Sequence, residues 1–111
     1  MKLLSRAEEI VLLIVLKLKG NAYGVTIRER IKKDTGTTWS FGSIYMPLNK
    51  LARKGFVKKI SGDPTSERGG RSKCLYEVTG EGMVALAAIR RVQENLWTDV
   101  PDLLLEKEKA S

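Results

Sequence analysis

The sequence predicts an α+β fold, mostly α, in the order helix, helix, helix, strand, strand, helix. Apolar residues recur at helical spacing in four segments that open on capping residues, and glycines follow the first three of these. Two short runs rich in β-branched and aromatic residues stand between the third and fourth segments. The 111 residues suit one compact domain and leave no room for a second independent core. With 42% apolar and 30% charged residues, the composition is globular rather than disordered or fibrous.

Ser5 followed by Glu8 forms a capping box, in which each side chain satisfies a backbone donor at a helix start. Helix one runs from there to about Leu18, where Lys17 and Lys19 suit the negative end of the dipole and Gly20 offers a left-handed closing residue. Its apolar middle, Ile10 to Leu16, is wider than one amphipathic face, so cover from several sides is expected, with a second subunit able to supply it.

Asn21 is expected to cap helix two, which carries Tyr23, Ile27 and Ile31 on one face opposite Arg28, Glu29, Lys32 and Lys33 and ends at Gly36. After the β-prone Thr37-Thr38-Trp39, Ser40 caps helix three, with Ile44, Leu48 and Leu51 at helical spacing and Gly55 as its close. Proline inside a long helix costs about 3 kcal/mol. Pro47 falls in the second turn, where it can bend helix three.

Phe56 to Ile60 and Leu75 to Val78 read as strands, and the turn-forming Ser61-Gly62-Asp63-Pro64 and Arg68-Gly69-Gly70-Arg71 make the pair a hairpin with a long basic tip. Thr79 caps helix four from about Gly80. Ala85, Ile89, Val92 and Leu96 then follow at steps of four, three and four, the spacing by which two helices pack along a seam. Thr98 to Pro101 interrupts this helix, and Asp102 to Ser111 resumes as a short amphipathic turn or frays.

Lys and Arg number 20 against 13 Asp and Glu, a net charge of +7. The excess is local. Residues 28–73 hold twelve basic side chains and four acidic ones, a surplus of eight, while the rest of the chain is balanced to within one charge. Basic residues on amphipathic helices commonly just solvate a surface. Their concentration in helices two and three and the hairpin instead points to a polyanion. Three helices followed by a β-hairpin make a winged helix-turn-helix, whose third helix enters the major groove while the wing reaches phosphates or a minor groove.

The chain has no histidine and one cysteine, Cys74. Metal centres, hydrolytic triads and an internal disulfide lose their usual residues, no cofactor is expected, and the chain is not expected to be an enzyme. Cys74 is read as a small buried hydrophobe in preference to a redox sensor. The longest apolar run is far short of the ~20 residues of a membrane span. Glu8 and Glu9 and the lack of a small-residue cleavage site argue against a signal peptide, so a cytoplasmic chain with a free thiol and no membrane partner is expected.

Ser40-Phe41-Gly42-Ser43-Ile44-Tyr45, then Leu48, Lys50-Leu51 and Gly55-Phe56-Val57, continue into Arg68-Gly69-Gly70-Arg71, Lys73, Tyr76, Val78-Thr79 and Gly82. Together with Tyr23-Gly24 upstream, this ordered set, spanning roughly Glu8 to Leu86, resembles the PadR-like family of bacterial transcriptional regulators. The resemblance implies a dimeric winged-helix repressor on a pseudo-palindromic operator of double-stranded DNA, from the group with a short C-terminal region. It also implies a division of labour between residues 1–79, which bind DNA, and residues 80–111, a C-terminal dimerisation helix and tail helped by helix one. Two departures stand out: Met46 follows Tyr45 where the family often has proline, and Cys74, Leu75 and Glu77 replace the usual basic or aromatic wing residues.

The candidate DNA-binding residues are Ser40, Gly42, Ser43, Tyr45, Asn49 and Lys50 in helix three, with Arg68, Gly69, Gly70, Arg71 and Lys73 in the wing. The positive end of helix three brings backbone donors and hydroxyls to a phosphate, and the wing glycines permit close approach while the arginines supply charge. The candidate dimer interface comprises Ile10, Ile14, Ala85, Ile89, Val92, Leu96 and Trp97. Trp97 has two readings, interface packing, which is the simpler, or a platform on which a small apolar or aromatic effector stacks near a two-fold axis. Tyr23, Trp39 and Tyr76 are assigned to packing. Two competing functions remain at this point, a non-specific nucleic-acid-binding protein and a winged-helix module that binds protein.

Overall fold

The computed structural model describes residues 4–61 and 74–102. The elements are α1 (Arg6–Lys17), α2 (Gly24–Thr35), α3 (Phe41–Arg53), β1 (Val57–Ser61), β2 (Cys74–Val78) and α4 (Gly80–Trp97), in the order the sequence predicts. The capping box closes at the start of α1: the Ser5 N–H donates to Glu8 Oε1 (2.8 Å) and the Glu8 N–H donates to Ser5 Oγ (3.1 Å). Glu8 is buried, and its other carboxylate oxygen accepts a 2.8 Å bond from Lys54 Nζ at the end of α3.

The predicted Asn21 cap is displaced. Ala22 is fully buried and its carbonyl accepts the Tyr76 N–H of β2 (2.9 Å), which holds this stretch extended, so the helix cannot begin before Gly24. Tyr23 becomes the N-cap residue rather than part of the buried helix face, and its N–H donates to Thr26 Oγ1 (2.8 Å). Gly36 ends α2 with φ 78°, in the left-handed conformation that glycine adopts without strain.

Ser40 caps α3 by accepting the Ser43 N–H (3.1 Å). The helix is continuous through Pro47, which lies on its buried side with Ile44, Leu48 and Leu51. Having no N–H, Pro47 cannot return a bond to the Ser43 carbonyl one turn back.

The hairpin is antiparallel, with Val57 opposite Val78, Lys59 opposite Tyr76 and Ser61 opposite Cys74. β1 starts one residue later than predicted, because Phe56 is held on both sides: its N–H donates to the Leu51 carbonyl and its carbonyl accepts the Thr79 N–H. β2 starts one residue earlier, at Cys74. The Thr79 hydroxyl donates to the Gly55 carbonyl (2.7 Å) and accepts the Gly82 N–H (3.0 Å), so one side chain caps α4 and ties it to the end of α3.

The core gathers Val11, Leu12 and Val15 of α1, Ile27 and Ile31 of α2, Ile44, Leu48 and Leu51 of α3, Val57 and Tyr76 of the hairpin and Leu86 of α4. Each fully buried Leu or Ile contributes about 1.5–3 kcal/mol relative to an exposed one. Sequence reasoning left cover of the α1 apolar middle open to a second subunit. The chain itself covers Val11, Leu12, Ile14 and Val15, and Leu13, 41% exposed, is the one side chain of that run facing outward.

Candidate nucleic-acid interface

The burial pattern divides α3 into two faces. Ile44, Pro47, Leu48 and Leu51 face the core, while Gly42, Tyr45, Met46, Asn49, Lys50 and Arg53 are exposed. At 3.6 residues per turn, Gly42, Met46, Asn49 and Arg53 form the central ridge of the outer face. Ser43 and Lys50 lie along one flank of this ridge, and Phe41 and Tyr45 along the other. All six predicted α3 residues are thus solvent-facing, counting the cap residue Ser40. Met46 and Arg53 share the ridge and escaped the sequence reading. The helical period that selected Ile44, Leu48 and Leu51 as core would have found them on the opposite side.

Local chemistry fixes the flank of aromatic residues. The Phe41 and Tyr45 rings stack at 6.3 Å between centroids, and the Arg28 guanidinium of α2 lies over the Phe41 ring at 4.8 Å while its Nε donates to the Trp39 carbonyl (2.7 Å). A cation over an aromatic face is worth about 0.5–1 kcal/mol at an exposed site. Tyr45 leans onto the first residue of α2, where a Cβ on Gly24 would stand 2.1 Å from its phenolic oxygen. At the start of α3 the Ser40 and Ser43 hydroxyls bond to each other (2.9 Å), leaving the Phe41 and Gly42 N–H groups as the donors the helix itself does not use.

The basic surplus also divides. Arg30 pairs with Asp34 (3.1 Å), which Lys17 also reaches; the Lys17 bond, then the Arg30 bond, outweigh desolvation and lower the Asp34 carboxyl below its ordinary range. Lys54 is held by Glu8, and Arg28 by Trp39 and Phe41. Lys32, Lys33, Lys50, Arg53, Lys58 and Lys59 are exposed and pair with no described carboxylate. Within residues 28–61 these six are the exposed cations free to meet phosphates; Lys19 and Arg91, outside that segment, are likewise exposed and pair with no described carboxylate. The wing residues Arg68, Gly69, Gly70, Arg71 and Lys73 lie outside the described residues.

Of the predicted dimer residues, Ile14 and Ile89 are buried by their own chain, and Ile10, Ala85 and Val92 are partly buried. Leu96 and Trp97 are 71% and 61% exposed. They prolong the α4 face that carries Leu86, Ile89 and Gln93, beyond the point where Gln93 donates to Glu9 of α1 (2.7 Å). A cavity of about 180 Å³ between α1, β2 and α4 is lined by Val15, Leu16, Tyr76, Val78 and Met83 and lies toward the opposite end of α4 from Trp97. Cys74 is free and half-buried. Among the described residues no cluster of His, Cys, Asp or Glu is able to hold a metal, and no helix is long and apolar enough to cross a membrane.

Residues 12–88 match the model of the transcriptional regulator PadR-like family. Among solved structures, the chain is similar to a PadR-like transcriptional regulator from Bacillus cereus, at 23% identity over 87% of this chain and 89% of that one, with a TM-score of 0.68. It is also similar to a transcriptional regulator from Clostridium thermocellum (20% identity, 82% and 85% covered, TM-score 0.67) and to RosR of H. salinarum (22%, 96% and 89%, 0.64). These likenesses establish a shared fold. No curated protein is a significant match.

Proposed function

The chain belongs to the PadR-like family of transcriptional regulators, a family of regulators and not of enzymes, and from that premise we propose that it represses transcription by binding a specific DNA operator as a homodimer. The observation that carries the reading is the division of α3: one face is locked into the core, while the other presents a start bare of side chain at Gly42, Met46 and Asn49 at its centre, and a basic end at Lys50 and Arg53. A helix so anchored is rigid enough to read base edges from the major groove. Gly42 and the first N–H groups suit a phosphate, Asn49 suits an adenine edge, and Lys50 and Arg53 suit phosphates or guanine. Arg68, Gly69, Gly70, Arg71 and Lys73 are assigned to the wing contact on sequence grounds.

In this reading residues 1–79 bind DNA and residues 80–111 pair the two chains. The exposed Leu96 and Trp97 support a seam along the distal half of α4, because two large apolar side chains there have little cover among the described residues. An effector, in the same reading a small apolar or aromatic molecule at Trp97, would act by preferring one spacing of the two α3 helices over another.

The test is a mobility-shift titration on DNA from upstream of the protein's own gene against random competitor at fixed salt. A preference of about 10³-fold or more, the lower end for specific regulators, weakened in Asn49→Ala and Arg71→Ala, supports the reading. Equal affinity for competitor, falling equally on all sequences in Asn49→Ala, sinks it in favour of non-specific binding.

A further inference from the structure

Met46 is 64% exposed and occupies the middle of the outer ridge of α3, between Gly42 one turn before it and Asn49 one turn after. A lone exposed methionine would carry no meaning, since isolated apolar residues on a surface are ordinary. Its surroundings make this one different. Gly42 contributes no side chain, and a Cβ built there would meet nothing closer than the Ser40 hydroxyl at 3.9 Å, so nothing at that end of the ridge stands as high as Met46. The two neighbouring apolar side chains are engaged, Phe41 under the Arg28 guanidinium and against the Tyr45 ring, and Tyr45 over Gly24. Met46 is therefore the projecting apolar group of a ridge whose other side chains, Asn49 and Arg53, are hydrogen-bonding or charged.

In the major groove one base carries an apolar group, the C5-methyl of thymine, while adenine presents the N7 acceptor and N6 donor that an asparagine side chain matches with two bonds. One turn of α3 separates Met46 from Asn49, close enough for the two to face the same or neighbouring base pairs. Resting on the DNA-binding reading above, we infer that Met46 is a specificity-determining residue that recognises thymine through its C5-methyl group, next to an adenine read by Asn49. The flexible thioether suits this contact, since it adapts to a methyl surface without a hydrogen-bond partner of its own.

The experiment begins with selection of the full chain's preferred duplex from a random pool at fixed salt. Each thymine of that duplex is then replaced in turn by deoxyuridine, which removes only the methyl group. Wild type is expected to lose about fourfold in affinity at one contacted thymine, the scale of burying a single methyl-sized group. Met46→Ala is expected to bind the thymine duplex more weakly by a similar factor and to be indifferent to deoxyuridine at that position, while Asn49→Ala keeps the methyl discrimination. Discrimination that survives unchanged in Met46→Ala, or wild type that distinguishes thymine from deoxyuridine nowhere in its preferred site, overturns the inference and leaves the DNA-binding reading standing. A pool that yields no preferred sequence overturns both. Since Met46 is exposed, a folded Met46→Ala protein is expected, with circular dichroism as the check.

Discussion

The Tyr45 hydroxyl of α3 lies over Gly24, the first residue of α2, so closely that a Cβ on this glycine would stand 2.1 Å from the phenolic oxygen and 2.9 Å from Cζ. Two separate sequence motifs, Tyr23-Gly24 and Gly42-Ser43-Ile44-Tyr45, therefore describe one contact. Gly24→Ala must expel the Tyr45 ring from this place. The ring is already 39% exposed and is the far end of a side chain, so it is able to swing into solvent without moving the backbone. Folding stability is expected to fall by no more than about 1 kcal/mol, whereas DNA affinity falls several-fold because the flank of the α3 face is rebuilt. Thermal melting and DNA titration of the same preparation check both halves.

Gly82 presents an equally short clash with the opposite expected outcome. A Cβ there would stand 2.2 Å from the Phe56 carbonyl oxygen and 2.8 Å from Val78 Cγ1. The Phe56 carbonyl is fixed by the Thr79 N–H, and Thr79 in turn holds Gly55 and caps α4, so no neighbour is able to yield. Gly82→Ala is expected to cost about 1–3 kcal/mol of stability or more, a drop of several degrees in Tm for each kcal/mol in a domain of this size. A melting curve that coincides with wild type would show that α4 shifts freely on the hairpin.

These two glycines also mark the extent to which the sequence could be read. The element order was legible because Ser5, Ser40, Thr79 and Gly36 act on their own immediate neighbours, and a local pattern carries local chemistry. The start of α2 was not legible, because the bond from Tyr76 to the Ala22 carbonyl joins residues far apart in sequence and overrides a good local cap at Asn21. The outer ridge of α3 was legible in half its members: Asn49 and Gly42 stood out by type, while Met46 stood out only as a departure from a family pattern. Ile14 shows the reverse failure. A continuous apolar run does not say which residues a partner would cover, and this one belongs to its own chain's core.

The ion pair between Glu8 and Lys54 joins the first turn of α1 to the end of α3 at 2.8 Å. Burial raises the Glu8 carboxyl, but the Lys54 bond, the two bonds from Ser5 and the Lys54 charge outweigh it and hold the group below its ordinary value of 4.5. A lowered folded-state value means stability that is present above the ordinary carboxylate range and lost as pH falls through the lowered one. Lys54→Met leaves a buried carboxylate without its cation and is expected to cost about 2 kcal/mol near neutral pH. The deficit should shrink in acid, where a protonated Glu8 no longer needs the cation. Denaturant unfolding of both proteins at a series of pH values from neutral to acid checks this, and a deficit independent of pH would mean that Lys54 acts through packing alone.

Tyr76 gives the opposite edge of the pH profile. It is 3% exposed at the centre of β2, and burial, then the neighbouring Cys74 and Tyr45, push its phenol up from 10.0 to about 12. The folded chain therefore keeps this proton where the unfolded chain has already released it. For an acid raised in this way, the stability contribution is intact below pH 10.0 and is lost progressively as pH rises from there to about 12. The comparison is made against a protein that differs in this one group, so that every other alkaline effect cancels. Tyr76→Phe keeps the ring in the core and is expected to match wild type within about 1 kcal/mol below pH 10. Above it the two should diverge, with wild type losing stability relative to the variant and phenolate absorbance rising as it unfolds. Parallel alkaline curves would place the Tyr76 hydroxyl in contact with solvent in the folded chain.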